Sequence, residues 1–113
     1  MKIIKRDEGA VLELEEKVLK DLRNGKSYKM DLNKLLDNDG NIVYQIVRFS
    51  MMDANGNLVM SKANTTSYLA PEKGILAEVS GNSLINCCDG NIYDLDGFWY
   101  GGSLMFALGL LFL

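Results

Sequence analysis

The chain has 113 residues, enough to bury one compact core but not two. Hydrophobic residues make up 48% of it and charged residues 24%, near the averages of folded soluble domains, which excludes a disordered tract. With 12 basic and 15 acidic side chains the net charge is −3, so there is no positive field to gather nucleic-acid phosphates, and the acidic excess is too small for a nucleic-acid mimic.

Met1-Lys2-Ile3-Ile4-Lys5-Arg6 runs into Asp7-Glu8 before an apolar stretch of secretory type can form, so no export signal is expected. Cys87 and Cys88 are the only cysteines and they are adjacent. The spaced framework of an extracellular disulfide domain is absent, and a cytoplasmic location is expected. In that setting the sequon Asn64-Thr65-Thr66 is coincidental.

Residues 7 to 24 carry a helical pattern. At about 100° per residue, Val11, Leu12, Leu14, Val18, Leu19 and Leu22 share one face, and Glu13, Glu16, Lys17, Lys20 and Arg23 share the other. Glu13 with Lys17 and Glu16 with Lys20 are spaced as helical ion pairs, and Asn24-Gly25 suits a C-terminal cap. Glu15 falls within the apolar stripe and reads as a rim glutamate whose stem packs while its head reaches water. Residues 28 to 37 fit neither the helical nor the strand period.

From Ile42 to Met52 the composition turns to strand formers, ending in the connection Asp53-Ala54-Asn55-Gly56. The hairpin this predicts sets Met51 against Leu58 and Phe49 against Met60. Further on, Gly81-Asn82 and Asp89-Gly90 each separate apolar runs by two residues, as tight hairpins require. Counting from these turns, Val79 opposes Leu84, Ile75 opposes Cys88 and Leu84 opposes Leu95. Ala77, Val79, Leu84, Tyr93 and Leu95 then share one face with Ile75 and Cys88. Asp96-Gly97 is a candidate third turn, which would bring Phe98 opposite Leu95.

Gly40-Asn41-Ile42-Val43, Gly56-Asn57-Leu58-Val59 and Gly90-Asn91-Ile92-Tyr93 echo one another. They resemble the turns of YD-type repeat proteins over four residues each, a span that backbone requirements at turns explain and that implies no activity.

From Gly97 to Leu113 no charge occurs, and Leu104 to Leu113 is apolar throughout apart from Gly109. This run is short of the roughly 20 residues of a membrane span and lacks flanking cationic anchors. A helix or strand buried in the core is expected, ahead of a self-association surface, with membrane contact last.

Histidine is absent, which removes the commonest general base, the usual zinc nitrogen ligand and every nucleophile–histidine pair. Cys87-Cys88 would point to opposite faces if it lay on a strand, and two thiolates alone do not close a tetrahedral zinc site. The segments at Asp37, Asp53 and Asp94 look like calcium loops, but Leu35, Met51 and Ile92 stand where an earlier ligand is needed. No nucleotide cradle or nucleophile elbow is present.

The fold expected is α+β: an N-terminal amphipathic helix packed on an antiparallel meander, with the apolar C-terminal segment buried in the core or an interface, all one domain over residues 1–113. The function expected is that of a non-enzymatic binding protein, a small acidic interaction module of the inhibitor, immunity or accessory kind. Its contact residues are Asp94, Asp96, Trp99 and Tyr100, because aromatic side chains dominate interface energetics. The alternative is a homo-oligomer assembled through Leu104 to Leu113. A third reading is a carboxylate enzyme using Glu15, Glu78 and Asp94. No cofactor and no metal are expected; the partner is another protein or a second copy, not nucleic acid.

Overall fold

The structure is a computed structural model that describes every residue of the chain except Tyr100. Among the described residues twelve short strands follow one another: β1 Lys2–Lys5, β2 Gly9–Glu15, β3 Val18–Asp21, β4 Ser27–Asp31, β5 Lys34–Leu36, β6 Ile42–Val47, β7 Ser50–Asp53, β8 Leu58–Lys62, β9 Ser67–Ala70, β10 Gly74–Ser80, β11 Ser83–Asn86 and β12 Ile92–Asp96. Each pairs antiparallel with its neighbours in sequence, and β1 closes on β12, giving a complete barrel without a free sheet edge. One helix, α1 Gly101–Phe112, follows.

The expected α+β architecture is therefore incorrect, and the N-terminal helix is its main error. Residues 7 to 24 form the hairpin β2–β3, in which Leu14 faces Leu19, Glu13 faces Lys20 and Glu15 faces Val18. The residue types that suggested helical ion pairs are instead cross-strand neighbours. A hairpin places residues on one face at separations that a helical projection also superimposes, so the short run satisfied both patterns. The break is Glu16, which takes φ 56° at the turn without a glycine to announce it. Asn24-Gly25 turns the chain into β4 rather than capping a helix.

The segment Ile42 to Met52 is likewise two strands. Arg48 turns at φ 59°, so Met51 pairs with Met60 and Met52 with Leu58, while Phe49 sits at the turn. The Gly81-Asn82 hairpin pairs Val79 with Leu84, but Leu84 pairs with Tyr93 rather than Leu95. The β11–β12 connection is longer than two residues, closed by Asn86 N–H donating to the Asn91 carbonyl at 2.9 Å. A slip of two residues preserves the strand's faces, so Ala77, Leu84, Tyr93 and Leu95 still point together into the core. Asp96-Gly97 makes no third hairpin, because β12 is already paired with β1 on its other side.

Inward positions follow one another around the barrel in register: Leu95 to Ile3 to Leu12, Leu14 to Leu19 to Tyr28, Met30 to Leu35 to Tyr44, Ile46 to Met51 to Met60, and Leu84 to Tyr93. A barrel of this many strands is too wide for its own side chains to fill. α1 fills it. Leu104, Met105, Phe106, Ala107, Leu108 and Gly109 are buried consecutively, the signature of a helix surrounded on all sides. Its contacts span the wall: the Phe112 ring lies 5.4 Å from that of Tyr93 on β12, and the Tyr44 hydroxyl on β6 donates to the Gly109 carbonyl at 3.2 Å.

The turns repeat. At one end Glu16, Leu32 and Arg48 take positive φ 16 residues apart, as do Gly81 and Gly97; at the other end Gly9, Gly25, Gly40, Gly56, Gly74 and Gly90 do so at nearly the same interval. The three echoing tetrapeptides belong to this hairpin repeat. α1 begins at the Glu16–Leu32–Arg48 end, where Gly102 faces Ile46, and finishes at the other, where Arg23 donates to the Leu110 carbonyl at 2.9 Å. The two ends are called the entrance and exit rims below.

Candidate functional site

Of the contact residues expected from the sequence, Asp94 and Asp96 lie on the outward side of β12 and Trp99 is buried beside them. Trp99 is 8% exposed, with its indole N–H shared between the carbonyls of Lys2 and Asp96 at 3.2 Å each, so it ties the end of β12 to β1 where the chain turns into the barrel. Asp94 faces outward from β12 and is held by Arg6, whose Nη2 lies 3.1 Å from it and 3.4 Å from Ser83 Oγ. The Asp96 residue is exposed. Tyr100 lies outside the described residues.

Glu15, Glu78 and Asp94 stand on β2, β10 and β12, no two of which are adjacent; Glu78 accepts from Ser67 Oγ at 3.1 Å and Asp94 is paired with Arg6. Among the described residues no three His, Cys, Asp or Glu side chains gather as metal ligands. The calcium-like segment at Asp94 lies on β12, and those at Asp53 and Asp37 are turns whose carboxylates bind their own backbone. Asp53 Oδ1 accepts the N–H groups of Asn55 at 2.9 Å and Asn57 at 3.0 Å, and these bonds, Asn57's first, hold its carboxyl below the usual range. Asp37 Oδ1 likewise accepts the backbone N–H groups of Asp39 and Asn41, at 2.9 Å each.

Among the described residues Asp21 is the one buried carboxylate. Burial pushes its carboxyl up, but the Arg23 fork, at 3.0 and 2.9 Å, together with the Arg23 backbone N–H, outweighs this and holds it low. The same guanidinium caps the last turn of α1, which carries no cation of its own.

The feature without a structural explanation is the entrance rim. Leu32 is 94% exposed, Phe98 76% and Phe49 70%. Leu32 also sits at φ 56°, a conformation that costs a branched aliphatic residue about 1–2 kcal/mol relative to glycine. Solvation and backbone strain both disfavour it there. Two shallow depressions flank the first turn of α1 and share Gly102: one is walled by Glu16, Met30, Leu32 and Phe106, the other by Arg48, Phe49, Lys62 and Met105. Lys62 Nζ rests 5.9 Å above the Tyr68 ring, which steers its charge beside Phe49.

Charge separates the two rims. Entrance turns and the residues beside them carry Lys2, Lys17, Lys34, Arg48 and Lys62 against Glu15, Glu16, Asp31 and Asp96. Exit turns carry Asp7, Glu8, Asp21, Asp37, Asp39, Asp53, Glu72 and Asp89 against Lys5, Arg6, Arg23, Lys26 and Lys73. The acidic excess of the chain is thus concentrated at the exit, and the apolar tips project from the less acidic end.

Among the described residues no helix is long and apolar enough to cross a membrane. Comparison with protein-family models, curated proteins and solved structures returned no match.

Sequence reasoning missed Leu32 and Phe49. The strand expected from Ile42 to Met52 contains Phe49, and Leu32 lies in a segment that fits neither period. The 16-residue spacing of turn positions was the signal that would have placed both at tips.

Proposed function

We propose that the protein is a binding module that grips a partner protein with its entrance rim, the closed barrel serving as a rigid mount for turn-borne side chains. The observation that carries this reading is Leu32, an almost fully exposed leucine held in left-handed backbone conformation at a turn tip. The two-residue turn needs a left-handed residue there, as it does at Glu16 and Arg48, but it does not need a leucine, and a strained apolar side chain kept in water at that position points to function. Phe49, flanked by Arg48 and Lys62, supplies the aromatic anchor and the cations that interface centres favour. The matching surface is an apolar patch bordered by carboxylates.

The test starts with proteins retained from the native host by the wild-type chain but not by a Phe49→Ser/Arg48→Glu variant. The retained partner is then purified and titrated against both by calorimetry. A hot-spot contribution of about 2 kcal/mol predicts Kd raised about 30-fold at unchanged melting temperature. Equal affinity of wild type and variant refutes the assignment to this rim.

A further inference from the structure

At the exit rim, β11 and β12 are joined by Cys87-Cys88-Asp89-Gly90-Asn91, and both thiols are free and exposed. The strand geometry that would send adjacent side chains to opposite faces does not apply, because both cysteines lie in the turn. The same turn occurs elsewhere in the barrel. Asp21-Leu22-Arg23-Asn24-Gly25 matches Asn86-Cys87-Cys88-Asp89-Gly90 bond for bond. In each, the first residue's side-chain oxygen accepts the N–H two residues on, at 3.0 Å from Arg23 and 2.9 Å from Cys88. Its carbonyl accepts the glycine N–H at 2.8 Å in both. The fold therefore builds this turn equally well with Leu22-Arg23 in the cysteine positions, and the paired thiols are not explained by turn formation.

The turn is also fixed. Cys87 N–H donates to the Leu76 carbonyl at 3.0 Å, and Asn91 N–H to Asp89 Oδ1 at 2.8 Å, so the backbone between the two Cα atoms is pinned from both sides. Ordering two soft donors on adjacent residues of a pinned turn lowers the entropy lost on chelation. We infer that Cys87 and Cys88 form a dithiol chelation site for a soft, thiophilic centre of the monosubstituted trivalent arsenical type. The chemistry balances without an oxidant. An arsenous oxide R–As=O takes both thiols, forming two As–S bonds, and its oxygen leaves as water with the two thiol protons. The ring that closes contains the arsenic, both sulfurs and the six atoms linking them, a size the trans peptide spans with less strain than the smaller ring of a direct disulfide. This inference is independent of the entrance rim.

Phenylarsine oxide is the probe, added to the intact folded chain and followed by native mass spectrometry and gel filtration. The expected product is a monomer carrying one phenylarsenic group. Excess glutathione, a monothiol, leaves it in place and dithiothreitol removes it. Cys87→Ser and Cys88→Ser each abolish the stable adduct, and circular dichroism shows whether each variant remains folded. The inference is overturned if no adduct forms on the wild type, if either single-cysteine variant retains it against glutathione, or if the arsenic bridges two chains.

Discussion

Tyr44 and Gly109 meet across the barrel lumen with no room for another atom: the Tyr44 hydroxyl donates to the Gly109 carbonyl at 3.2 Å, and a Cβ on Gly109 would lie 2.7 Å from Tyr44 Cε2. Glycine is normally a poor helix residue, about 1 kcal/mol worse than alanine. Here packing reverses that ranking. Gly109→Ala is expected to destabilise the fold by about 1–2 kcal/mol, since the overpacking cost exceeds the helix-propensity gain. A lower urea midpoint at unchanged slope is the expected reading; a higher midpoint would show that α1 does not press on β6.

The Asp21–Arg23 pair makes stability pH-dependent with a definite sign. Its carboxyl is held below the ordinary value, so its contribution is fully present above the unfolded-state pKa of about 4 and is lost as pH falls through the folded one. Acid titration of the unfolding free energy should therefore show a loss below about pH 4 that is smaller in Asp21→Asn. Arg23→Met should cost more than about 2 kcal/mol at neutral pH, because it leaves a buried carboxylate unpaired and α1 uncapped.

Leu32 separates stability from binding. Leu32→Asn relieves the left-handed strain and removes an exposed leucine, so the melting temperature should rise, by up to about 1 kcal/mol of stability. Partner affinity should fall in the same variant. A parallel fall in both would mean that Leu32 serves the fold.

Trp99 belongs to the barrel's closure more than to its surface. Trp99→Phe removes the donor shared by the Lys2 and Asp96 carbonyls and is expected to cost about 1–3 kcal/mol; Trp99→Ala should cost about 3–5 kcal/mol through the cavity it leaves. Chemical denaturation measures both. Hydrogen exchange should quicken first at the β1–β12 seam, the only pairing that joins the two ends of the sheet.

Local chemistry was legible where it is local. Gly81-Asn82 set the Val79–Leu84 pairing, and alternation along β10 to β12 set which side chains face the core, because a two-residue period survives an error of two in register. The turns at Glu16, Leu32 and Arg48 carry no glycine or proline and show only through the regular spacing of the glycine turns at the other end; without that spacing, strands fuse or a hairpin reads as a helix. The apolar run ending at Leu113 showed by itself that it must be covered, having no charge to keep any face in water. Only the tertiary structure decided what covers it. Among the described residues twelve hairpin-linked strands close into a ring wider than their own side chains can fill, and α1 completes the core.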